Sequence, residues 1–230
     1  MLKKLAVILI GYFVSISVVA QSLYVFIPTE VRANKLQQKI ETFCTGVDVT
    51  VFGRAKDFHN KIKVSPPTAI LSLSPVIERN APFNKSIAGL RNGFDSEDYV
   101  LVSLNKAVNI DHLKDKKIGV VDLLGRKPMM SFVEDLLQAK VKLKRVTKVE
   151  DLLPLITFDA VDAIFISDSL FSQFKQKSNL NLVATPLNIK VGLASAGLSD
   201  AVIKDKLKKC VFAFDKQLNN TLGVDQWLAL

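Results

Sequence analysis

The chain has 230 residues, with 31 Lys and Arg against 22 Asp and Glu, and a formal net charge of +9. Its hydrophobic fraction of 49% and charged fraction of 23% exclude a disordered chain. Ten Gly and eight Pro exclude collagen, and two Cys are too few for a disulfide scaffold or a four-cysteine zinc site.

Residues 1–20 read as an address. Lys3 and Lys4 form a short basic region, Leu5 to Ala20 carries no charge, and Val18-Val19-Ala20 supplies small residues before Gln21. This order predicts a secretory signal peptide cleaved after Ala20, and so a periplasmic protein. The alternative is retention of residues 5–20 as an inner-membrane anchor, although 16 apolar residues are short against the roughly 20 of a membrane span. Cleavage removes two Lys and lowers the charge from +9 to +7.

Strand and helix patterns then alternate. Leu23 to Ile27 predicts a buried strand, followed by a helix with Leu36, Ile40, Phe43 and Cys44 on one face and Gly46 as its stop. Val47 to Phe52 predicts a strand, Ala55 to Ile62 a short helix, and Thr68 to Leu73 a third strand ended by Ser74-Pro75. Glu78 to Glu97 is polar and gives no clear pattern, and Tyr99 to Leu104 is again a strand. Further strands are expected at Lys117 to Leu123, Val141 to Val146, Val161 to Ile166, Leu180 to Thr185 and Lys190 to Ser195. Helices are expected at Pro128 to Ala139, around Val149 to Ile156 with Thr147 as its cap, and at Leu170 to Lys177. A last helix carries Ile203, Leu207, Cys210, Val211 and Phe214 on one face. The alternation predicts α/β architecture with parallel strands between helices.

No nucleophile elbow, phosphate-binding glycine loop, dinucleotide fingerprint or paired-histidine metal motif is present. His59 and His112 read as surface residues, so the chain is expected not to be an enzyme and to need no cofactor. Basic and aromatic residues do not alternate on any segment, which argues against nucleic acid as a partner.

In open α/β sheets ligands sit beyond the carboxyl ends of strands, and that rule selects the candidate residues. They are Thr29 after the first strand, Ser72 and Ser74 at the end of the third, and Gly125-Arg126-Lys127 before a helix. Gly125 permits close backbone approach and the two cations would draw an anion to the helix start. Asp168 follows a buried strand and serves either as a helix cap or as acceptor for a ligand amine. Arg79 is a candidate carboxylate fork or a plain surface residue. Cys44 and Cys210 sit on apolar helix faces, either as buried thiols or as a disulfide formed after export.

From Tyr99 onward the chain resembles the type II periplasmic solute-binding proteins that feed ABC importers. The resemblance rests on Tyr99-Val-Leu-Val-Ser103, Ile110-Asp-His-Leu-Lys-Asp-Lys-Lys-Ile-Gly119, Leu152-Leu-Pro-Leu-Ile156, Ala160-Val-Asp-Ala-Ile-Phe-Ile-Ser-Asp168 and Lys190-Val-Gly-Leu-Ala194. It implies a two-lobed clamp, each lobe a mostly parallel sheet flanked by helices. Lobe one would be residues 22–105 plus 188–230, and lobe two residues 106–187. It further implies a monomer that captures a small anionic or zwitterionic solute between its lobes and delivers it to an ABC transporter permease. Asp168 stands where amino-acid-binding members hold the α-amino group. Leu124-Gly125-Arg126-Lys127 stands where they place a Gly-Thr/Ser pair, and the phosphonate-type branch is the other match. The alternative function is a periplasmic accessory or sensor protein that keeps the clamp for contact with another envelope protein.

Overall fold

The computed structural model describes residues 21–200 and 203–230, so the expected signal peptide lies outside the described residues. Two sheets form, as the α/β alternation requires. The first begins with β1 (Ser22–Phe26), α1 (Ala33–Glu41), β2 (Asp48–Val51), α2 (Ala55–Val64), β3 (Ala69–Leu73), α3 (Ser74–Glu78) and β4 (Asn84–Leu90). The second is built from β5 (Ser96–Leu104), β6 (Lys117–Val121), α4 (Arg126–Leu137), β7 (Lys142–Val146), α5 (Leu152–Thr157), β8 (Ala163–Ser167), α6 (Asp168–Lys177) and β9 (Leu182–Gly192). The chain then returns to the first sheet through β10 (Ala194–Leu198), α7 (Lys204–Phe212), α8 (Lys216–Leu222) and β11 (Gln226–Ala229).

The first sheet has the order β11-β4-β10-β3-β1-β2 and the second β7-β6-β8-β5-β9. Both are mixed. In each, three parallel strands joined by helical crossovers (β3-β1-β2 and β7-β6-β8) are extended by antiparallel strands. The chain is therefore two α/β lobes.

The strand pairing runs across the boundaries expected from the sequence. β5 pairs with β9 over its whole length and with β8 from Tyr99 to Val102, so residues 96–104 are hydrogen-bonded into the second sheet. β9 likewise stays on β5 as far as Gly192. The predicted strands Leu180 to Thr185 and Lys190 to Ser195 fall in one long β9, which continues through Pro186 with a register irregularity opposite Tyr99 and Val100, and in β10. The unassigned stretch from Glu78 to Glu97 contains β4. Residues 149–151 form a single 3-10 turn that runs into α5, and its cap position is Lys148, without a side-chain bond, instead of Thr147.

Period-two alternation distributes the core. Leu23 and Val25 of β1 face α1 and α7, where Cys44 and Cys210 are joined in a disulfide with Cα atoms 4.6 Å apart. Val100, Val102, Ile164 and Ile166 pack under α5 and α6. A further cluster is shared between the lobes: Phe26, Phe58 and Ile77 of the first continue into Leu123, Met129 and Val133 of the second. Apolar contact thus holds the two halves against each other on one side.

Candidate functional site

The chain crosses between sheets twice, and the crossings lie side by side. Leu193 N–H donates to the Asp95 carbonyl at 2.8 Å. The first crossing opens with a tight turn in which Arg91 and Phe94 exchange both backbone hydrogen bonds (2.8 and 3.0 Å). Asn92 and Gly93 carry positive φ there (52° and 83°), the combination that a two-residue turn of this hand demands.

Between the lobes lies a cavity of about 240 Å³. The carboxyl ends of parallel strands from both sheets point at it: Ile27 and Pro28 after β1, Leu73 ending β3, Val121 ending β6 with Leu123 after it, and Ile166 and Ser167 ending β8. This is where the topology of such sheets puts a ligand. Most of the wall is apolar, with Met129, Phe132 and Phe165 among its side chains.

One corner is polar. Arg91 Nη1 donates to Glu97 Oε2 at 3.0 Å, and the Ser169 hydroxyl donates to the same oxygen at 2.6 Å. Ser169 also meets the Ser167 hydroxyl at 3.1 Å. Arg91 and Glu97 side chains are only 23% and 20% exposed, so the pair works in a reduced dielectric. Tyr99 stands beside it, its ring 5.0 Å from that of Phe165. Burial, reinforced by the Glu97 charge, pushes its phenol well above the ordinary range, so it stays a neutral donor.

The sequence-selected residues divide. Thr29 lines the cavity, its hydroxyl accepting from the Val31 amide at 3.3 Å. Ser72 and Ser74 are turned into the protein instead. Ser72 donates to the Phe26 carbonyl at 2.5 Å, and Ser74 donates to the Leu193 carbonyl at 3.1 Å. Ser72 thereby satisfies the end of β1, and Ser74 the backbone of the second crossing. Arg79 lies over the Phe132 ring, 5.6 Å from its centre, on the outer side of the cavity wall. Gly125, with φ of 82°, is the residue before α4 and donates to Asp122 Oδ1 at 2.8 Å. Arg126 and Lys127 are exposed and do not line the cavity. Asp168 is exposed as well, and the cap of α6 is Ser167, which accepts from the Leu170 amide at 3.3 Å.

Besides Arg91–Glu97, three further contacts between the lobes are seen around the cleft among the described residues. Lys177 at the end of α6 bonds Glu30 at the rim. Arg79 on Phe132 is the second. His59, expected on the surface, is the third: its Nε2 sits 3.0 Å from the Leu123 carbonyl and its Nδ1 sits 3.3 Å from Asn80 Oδ1. Among the described residues no group of three or more His, Cys, Asp or Glu is placed to hold a metal, and no helix is long and apolar enough to cross a membrane.

No protein-family model matches the chain, and no curated protein sequence does. Solved structures do. One is the binding-protein component of an ABC phosphonate transporter from Pseudomonas aeruginosa (TM-score 0.65, 10% identity, covering 92% of this chain and 82% of that one). Another is an amino-acid ABC transporter substrate-binding protein from Streptococcus pneumoniae bound to L-arginine (TM-score 0.59, 14% identity, 88% and 93% covered). A third is the GluR0 ligand-binding core from Nostoc punctiforme in complex with L-glutamate (TM-score 0.58, 12% identity, 88% and 95% covered). The chain has the two-lobed type II periplasmic-binding-protein fold that these structures share.

Proposed function

We propose that this chain is an exported solute-binding clamp: it takes a small molecule into the cavity between its lobes and presents the closed form to an ABC importer. The moving bodies are residues 21–95 with 193–230, and residues 96–192, turning about the paired crossings at Asp95 and Leu193. The carrying observation is that strand ends from both sheets converge on one cavity, so a solute held there touches both lobes and favours their closed arrangement. The similar structures are of binding proteins rather than enzymes, in keeping with a role without catalysis.

Thermal unfolding against a panel of amino acids, phosphonates, organic acids and neutral metabolites tests the reading. A solute at 100 times its Kd stabilises the chain by about 2.7 kcal/mol. A defined subset of the panel is expected to raise the Tm; no shift with any member contradicts a binding role.

A further inference from the structure

We infer, on the strength of that reading, that the solute is electrically neutral, with an apolar body and a single hydrogen-bonding head. The charge content of the cavity carries this. Its wall contains three charged side chains, Glu30, Arg91 and Glu97. Glu30 is bonded to Lys177 at the rim. Arg91 and Glu97 neutralise each other at 3.0 Å inside. A carboxylate or phosphonate brought to Arg91 therefore also meets Glu97, and an ammonium brought to Glu97 also meets Arg91. Either loses its water without gaining an unopposed counter-charge.

A neutral head fares differently. The guanidinium has five N–H donors, and among the described residues the bond to Glu97 is the one hydrogen bond it makes to another side chain. A carbonyl or hydroxyl oxygen can accept from the remaining donors at no ionic cost, and Ser167, Ser169 and Tyr99 add hydroxyls beside it. The body then rests on Met129, Phe132 and Phe165, where apolar burial supplies affinity. The cations expected to draw an anion, Arg126 and Lys127, lie outside this wall.

The test is calorimetric binding to the folded chain of two matched series. One shares a 3-methylbutyl body: 4-methylpentanamide, 4-methylpentanoate, L-leucine and 3-methylbutylamine. The other shares a benzyl body: phenylacetamide, phenylacetate, L-phenylalanine and 2-phenylethylamine. In at least one series the amide is expected to bind tenfold or more tighter than each charged member. Glu97→Gln frees the Arg91 charge and is expected to swing the preference at least tenfold toward the carboxylate, with the Trp227 fluorescence of the folded chain unchanged. Tightest binding of a carboxylate or amino acid to the unmodified chain overturns the inference, and so does a Glu97→Gln variant whose preference does not move. Silence of both series overturns it too. The clamp reading survives all three results if any other solute of the broader panel raises the Tm, and fails if none does.

Discussion

Leu193 donates its amide proton to the carbonyl of Asp95 at 2.8 Å, so the two segments that join the lobes are bonded directly to each other. Ser74 reinforces the joint from the start of α3, donating through both its amide and its hydroxyl to the Leu193 carbonyl, each at 3.1 Å. Next to this joint, a Cβ added to Gly192 would meet Ser74 Cβ at 2.5 Å. Neither partner is a flexible side-chain end, so the backbone must yield. Gly192→Ala is expected to lower stability by about 1–3 kcal/mol, read as a shifted urea midpoint.

The rim pair Glu30–Lys177 spans the cleft but is well exposed, at 39% and 55% of the two side chains. Exposed pairs are worth about 0–1 kcal/mol. Glu30→Gln is expected to leave unfolding stability within about 0.5 kcal/mol and to weaken solute binding less than tenfold, with the deficit vanishing at high salt. A larger, salt-independent loss would mean that Glu30 touches the solute.

Cys44 and Cys210 tie the turn after α1 to α7 across a sequence separation of 166 residues. A closed loop of this size restricts the unfolded chain strongly, and losing a native disulfide typically costs about 2–5 kcal/mol. The double variant Cys44→Ala with Cys210→Ala, or reduction of the unmodified chain, is expected to lower the Tm while leaving solute affinity unchanged, because neither cysteine lines the cavity.

Asp162 accepts from the Lys117 amide at 2.7 Å and from Lys116 Nζ at 3.2 Å, fastening β6 beside the loop that leads into β8. Burial pushes its carboxyl up, but the Lys117 amide and the Lys116 hydrogen bond and charge outweigh this and hold it below the usual range. A carboxyl lowered by folding contributes stability above its unfolded value of about 3.9 and loses it as the pH falls through the folded value. Asp162→Asn is therefore expected to be less stable than the unmodified chain at pH 7, with the gap closing below about pH 4. Urea midpoints at neutral and acid pH check this; a gap independent of pH would assign the loss to geometry alone.

The elements that the sequence displays are those built from uninterrupted apolar runs, such as Leu23 to Ile27 and Val161 to Ile166. β4 escapes because it reads Asn-Lys-Ser-Ile-Ala-Gly-Leu, with a glycine inside. That Gly89 is a packing requirement, since its Cβ would lie 2.4 Å from the Ala194 carbonyl and 2.5 Å from Val224. Small residues that let β4 lie against its neighbours are the ones that hide its strand pattern. The turn after it lies in the same unassigned stretch, although Asn92-Gly93 is a strong two-residue turn signal and marks the first crossing. The polar corner was not legible. Glu97 and Ser169 are separated by 72 residues and meet only because β5 joins the second sheet beside β8. The same placement bonds residues 96–104 into the second sheet. Ser72 and Ser74 sat at a strand end, as the ligand rule asks, yet their hydroxyls are taken by the Phe26 carbonyl at the end of β1 and by the Leu193 carbonyl at the crossing.

Native mass spectrometry of the chain purified without unfolding tests the clamp most directly. The account predicts a non-covalent small-molecule adduct that departs when the protein is denatured and is uncharged when identified. A bare chain mass in every preparation, from a protein that also fails to acquire an adduct from a cell extract of small molecules, would contradict it.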